Sequence, residues 1–149
     1  MLRRLLTVCL VLFSWAAYPV FGQVNSPKAT IIDSKSAITR SVPSGKASIK
    51  ILAEGKNAFI GQLSLAPGAK VPLHRDPTEE YLYIVAGGGL LSIDGQTTKI
   101  TAGMTVYMPA NALVTFQNGD TMLIALQVFA GPESAKKYEK WPLNTDKKK

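Results

Sequence analysis

From Ala47 onward, apolar and polar positions alternate over short stretches, and turn-forming residues interrupt them about every eight to twelve positions. The pattern predicts strands near 47–53, 58–65, 69–74, 80–86, 89–94, 97–101, 105–108, 112–117 and 121–129. Val, Ile, Thr, Tyr and Phe dominate these segments, which suits a pleated, half-buried surface. Pro67-Gly68, Asp76-Pro77, Gly87-Gly88-Gly89, Ala102-Gly103 and Pro109-Ala110-Asn111 divide them. Asp94-Gly95 and Asn118-Gly119 predict two hairpins, because both central positions of a tight two-residue turn need positive φ. No segment here keeps a helical period. The expected fold class is all-β, a single antiparallel barrel or sandwich.

The ends break the pattern. Residues 1–22 read as a signal peptide: Arg3 and Arg4, then an apolar run over 5–17 broken only by Thr7 and Ser14, then Val20 and Gly22 before Gln23. That run is short for a bilayer span, so a cleaved leader is favoured over an anchor, and the protein is expected to be secreted or periplasmic. Residues 23–46 form a polar N-terminal extension, in which 29–32 can pair as an edge strand. After the barrel at 47–130, residues 131–149 predict a short helix and a basic tail. Pro132 and Glu133 stand in the first turn of that helix, with lysines in its last. Tyr138 and Trp141 share a face of it, which predicts that it folds back on the barrel.

Composition narrows the picture. The chain has 149 residues, enough for one domain with its own core. Cys9 is its sole cysteine and lies in the leader, so the mature chain has neither a disulfide nor thiol chemistry. The formal charge is +7, but Arg3 and Arg4 belong to the leader, and residues 133–149 set six lysines against Glu133, Glu139 and Asp146. The barrel itself is nearly balanced. The charge thus reads as a solvated tail, and a nucleic-acid partner is not expected.

Candidate chemistry gathers in one place. His74 is the only histidine, and Asp76 stands two residues on, which puts both on one face of a strand. Glu80 opens the next apolar strand, on the same face as Leu82 and Ile84. If that strand returns beside the first, one imidazole and two carboxylates converge. Such a set suits a divalent metal, or an acid/base pair in which His74 titrates near neutral pH. The plain alternative is a surface histidine beside an Asp-Pro turn. Glu79 and Glu80 cannot both face inward, so one of them is solvated. Gln62 and Gln127 lie in apolar strands and can face either the interior or solvent. Tyr83, Tyr107 and Phe116 can line a pocket or simply fill the core.

The spacing Gly68, His74, Asp76, Glu80, Gly87 resembles the first motif of the cupin superfamily, G-x5-H-x-H-x3-E-x6-G, with Asp76 at the second histidine position. Gly103, Pro109 and Asn118 match the second motif, G-x5-P-x-G-x2-H-x3-N, in which Asn111 stands for the glycine and Val114 for the histidine. The resemblance covers roughly residues 47–130 and implies a cupin-like jelly-roll barrel with a central site, with pairing of copies through edge strands such as 29–32. It implies metal ligands His74, Asp76 and Glu80, with Val114 unable to serve as the fourth. One divalent ion is the implied cofactor, manganese ahead of iron or zinc, or none. The implied function is binding of a small molecule in the barrel, by a homodimer, with His74 the candidate catalytic group. A metal-dependent oxygenase or isomerase and a metal-free structural barrel are the alternatives.

Overall fold

A computed structural model describes residues 28–144; the expected signal peptide at 1–22 and the end of the basic tail lie outside the described residues. The strands are β1 (Thr39–Ser41), β2 (Ala47–Glu54), β3 (Phe59–Leu65), β4 (Lys70–His74), β5 (Glu79–Ala86), β6 (Gly88–Ile93), β7 (Gln96–Thr101), β8 (Thr105–Met108), β9 (Val114–Asn118) and β10 (Leu123–Ala130). They form a six-stranded sheet in the order β1-β2-β3-β10-β5-β8 and a four-stranded sheet in the order β4-β9-β6-β7. Every pairing is antiparallel. No ladder joins the sheets among the described residues, so the barrel is left open along its seams instead of closed by hydrogen bonds.

All nine predicted strands form. The expected strand at 29–32 does not: these residues are exposed and belong to no strand, and β1 provides the edge instead. Ile31 and Ile32 have no facing strand to cover them. Asp94-Gly95 makes the expected hairpin between β6 and β7, with φ of 48° and 85°. Asn118-Gly119 does not, because β9 and β10 belong to different sheets. Its role is a crossing, where the Asn118 amide donates to the carbonyls of Leu65, Ala66 and Thr121.

The core lies in two clusters. The larger fills the space between the sheets with Leu65, Leu82, Ile84, Leu91, Phe116 and Leu123, among others. The smaller joins Ile49, Phe59 and Phe129 to Ala135 and Tyr138. The last two belong to the expected C-terminal helix, which is a 3-10 helix over Pro132–Lys140. Three residues per turn put Ala135, Tyr138 and Trp141 in one row along it. Tyr138 packs against Phe59 at 6.0 Å and meets Trp141 edge-on at 4.9 Å. Each such aromatic pair contributes about 0.5–1.5 kcal/mol beyond simple burial.

Candidate functional site

A cavity of about 610 Å3 lies between the sheets. Its walls are largely apolar, and Leu82, Leu91, Met108 and Phe116 are among them. His74, Glu80, Gln127, Lys137 and Tyr138 supply polar atoms to the same cavity.

His74 reaches it through an irregularity in β4. Val71 pairs with Phe116, yet His74 pairs with Val114, so β4 carries an extra residue between them. That bulge breaks the alternation, leaving Leu73 63% exposed and turning the next side chain inward. The carbonyl of Pro72, inside the bulge, accepts from His74 Nδ1 at 2.9 Å. On the other side of the ring, Nε2 faces Asp76 Oδ2 at 3.5 Å. Both nitrogens thus face oxygen atoms, which favours the protonated ring. The Asp76 carboxylate, more than any other influence, raises the His74 pKa above its ordinary value, against the opposing effect of burial.

Asp76 follows β4 and is drawn into the fold by its own backbone, whose carbonyl accepts from the Asn111 amide at 2.7 Å. Asn111, at φ 64°, occupies the left-handed conformation that a glycine takes most easily and asparagine tolerates. The two motif-bearing loops are joined at this bond. Burial pushes the Asp76 carboxyl upward, but pairing with His74 and Lys137 outweighs it and leaves the group below its ordinary value. Lys137 Nζ lies 2.6 Å from Asp76 Oδ2.

Glu80 arrives differently from the sequence expectation. Strand β5 does not return beside β4; it lies in the opposite sheet, between β10 and β8. The carboxyl is buried and accepts from Gln127 Nε2 at 2.6 Å, and Gln127 Oε1 accepts from the Tyr138 hydroxyl at 2.6 Å. Burial pushes the Glu80 carboxyl up, and the Gln127 hydrogen bond offsets only part of that. Glu79 points the other way, where it accepts from the hydroxyls of Tyr81 and Tyr107 on the outer face.

The structure therefore brings His74 and Asp76 together and places Glu80 across the cavity in a hydrogen-bonded chain of its own. Of the two glutamines, Gln127 faces inward, and Gln62 is on the outer side of β3, where burial follows the opposite alternation. Tyr83 and Tyr107 are exposed, whereas Phe116 lines the cavity. Lys137 is the participant the sequence reading missed, having been counted with the solvated tail. The available signal was its spacing, three residues after Ser134. In a 3-10 helix those two form a second row, and it lies against the β4–β5 connection through Thr78 and Asp76.

These donors do not fit a divalent metal as they stand. His74 Nδ1 is engaged by the Pro72 carbonyl, Asp76 is taken by an ammonium, and one Glu80 oxygen is taken by an amide. Opposite His74 stands Val114, which has no donor atom. Among the described residues no three of His, Cys, Asp and Glu gather at metal-binding distances.

The family model described as "Cupin domain" matches residues 61–129. An uncharacterized protein of Streptomyces coelicolor is 28% identical over 79 residues, 53% of this chain and 75% of its own length. Among solved structures, an RmlC-like cupin from Shewanella frigidimarina superimposes with a TM-score of 0.63 at 17% identity, over 70% of this chain and 92% of its own. A protein of Thermotoga maritima described as a predicted oxalate decarboxylase does so with 0.62 at 22% identity, over 68% and 99%. Motif spacing, two-sheet architecture and these likenesses agree, and the chain carries a cupin domain over residues 61–129.

Proposed function

We propose that this protein is an exported cupin that binds one small organic molecule in the cavity between its sheets, without a resident metal. The cavity is the observation that carries the reading. Its volume of about 610 Å3 falls within the range of small-molecule sites, roughly 300–1,000 Å3. Apolar walls with a few convergent polar groups are the usual composition of such sites. The ligand's apolar body would rest on Leu82, Leu91 and Phe116, and its polar group would meet His74 and Glu80. His74 would act here as a binding group.

The dye 1-anilinonaphthalene-8-sulfonate, an apolar body with one anionic group, serves as a probe. Saturable fluorescence enhancement at one dye per chain is expected, and Leu91→Trp, which fills the cavity, should abolish it while circular dichroism stays unchanged. Absence of saturable binding, or equal binding by a folded Leu91→Trp, would remove the reading.

Export rests on the leader at 1–22, and a mature N-terminus found by mass spectrometry at Gln23 is its check. The homodimer remains part of the reading without the 29–32 strand. Sedimentation velocity decides it, and a monomer at all concentrations would delete it.

A further inference from the structure

Lys137 holds an unusual place for a residue near the end of a chain. Its ammonium is 2.6 Å from Asp76 Oδ2, and it lines the same cavity as His74 and Glu80. It thus pairs with one of the three side chains that stand at ligand spacing in the first motif and shares a cavity with the other two. Its position is fixed from several sides. The ammonium sits 4.8 Å from the centroid of the Phe129 ring and 5.6 Å from that of Tyr138. Ser134, one turn earlier on the same row, is hydrogen-bonded to Thr78. The row Ala135-Tyr138-Trp141 holds the helix against Phe59 and Phe129.

We propose that Lys137 is the resident cation of this site: its ammonium, in contact with Asp76, takes the place at that carboxylate that a divalent ion would need, and keeps such an ion out. Two features of the geometry support the exclusion. An ion bound at Asp76 would share a carboxylate with an ammonium already in contact with it, and like charges so close repel strongly in a partly dry cavity. His74 is held through Nδ1 by the Pro72 carbonyl, with Nε2 turned toward Asp76, whose Oδ2 the Lys137 ammonium already occupies. The inference does not depend on the identity or existence of an organic ligand.

The test is an Mn2+ titration of the purified protein, followed by the electron paramagnetic resonance signal of the free ion. The unaltered protein and Lys137→Arg, which keeps the charge, should retain no stoichiometric Mn2+. Lys137→Met should bind one Mn2+ with an affinity roughly 10- to 100-fold higher, the scale on which groups around a metal site alter affinity. The double variant Lys137→Met/Asp76→Asn should lose that gain. Lys137→Gln, neutral but polar, repeats the experiment should methionine loosen the helix. A folded Lys137→Met or Lys137→Gln with no gain overturns the proposal. So does an unaltered protein that binds one Mn2+, a result needing no variant.

Discussion

His74 and Asp76 meet at 3.5 Å, each mostly shielded from solvent, and their shifts run in opposite directions. His74 titrates above its ordinary 6.5, so its pairing stabilises the fold fully below 6.5 and is lost as pH rises through the raised value. Asp76 titrates below its ordinary 3.8, so its contribution is present above 3.8 and is lost as pH falls through the lowered value. The pair therefore stabilises most between pH 3.8 and 6.5. His74→Gln should lower the thermal midpoint by on the order of 3 °C in that window, with the gap shrinking on either side. A pH-independent gap would rule the pairing out as its cause. Tyr138→Phe acts on another residue-scale feature, the chain to Gln127 and Glu80. It leaves the Gln127 carbonyl oxygen buried without its donor, at a cost of about 1–3 kcal/mol in urea unfolding. The meeting of His74 and Asp76 was legible from their spacing, whereas the place of Glu80 in the opposite sheet was not. Lys137 was not, because its partner lies 61 residues away in sequence.

At the scale of elements, period-two alternation was enough to place nearly every strand but not to assign strands to sheets. Asn118-Gly119 has hairpin chemistry, yet Asn118 uses its amide to hold the carbonyls of Leu65, Ala66 and Thr121 while the chain crosses between sheets. The bulge in β4 was equally hidden, since an extra residue alters facing without altering composition. The glycines at 87–89 show why such a crossing tolerates few sequences. A Cβ at Gly88 would strike the backbone of Ile100 and Thr101 on β7, and one at Gly89 that of Gln117. Neither neighbour is a flexible side-chain end that can move aside. Gly88→Ala should cost about 3 kcal/mol, read as a lower urea midpoint with an unchanged slope. An alanine variant as stable as the parent would show that β6 and β7 can separate.

Across the whole molecule, packing is uneven. The cluster between the sheets surrounds a cavity, while the cluster under the 3-10 helix is filled by tilted and edge-on ring pairs from Phe59 to Trp141. Phe59, 1% exposed, does not line that cavity. Phe59→Ala should cost about 3–5 kcal/mol, and Leu82→Ala, beside an existing space, should fall near the lower end of the large-to-small range, about 2 kcal/mol. Equal costs at the two positions, measured by urea unfolding, would mean the cavity is filled by collapse in solution.

The ion pair between Lys137 and Asp76 has a further consequence, one of supply. A metal drawn from the surroundings has to be acquired in competition with every other chelator, and it can be stripped away or exchanged for the wrong element. An ammonium on the side chain is synthesised with the protein and arrives in fixed stoichiometry wherever the chain folds. The charge at this site would then be set by the docking of Pro132–Lys140 and would stay the same in a metal-starved compartment as in a metal-rich one.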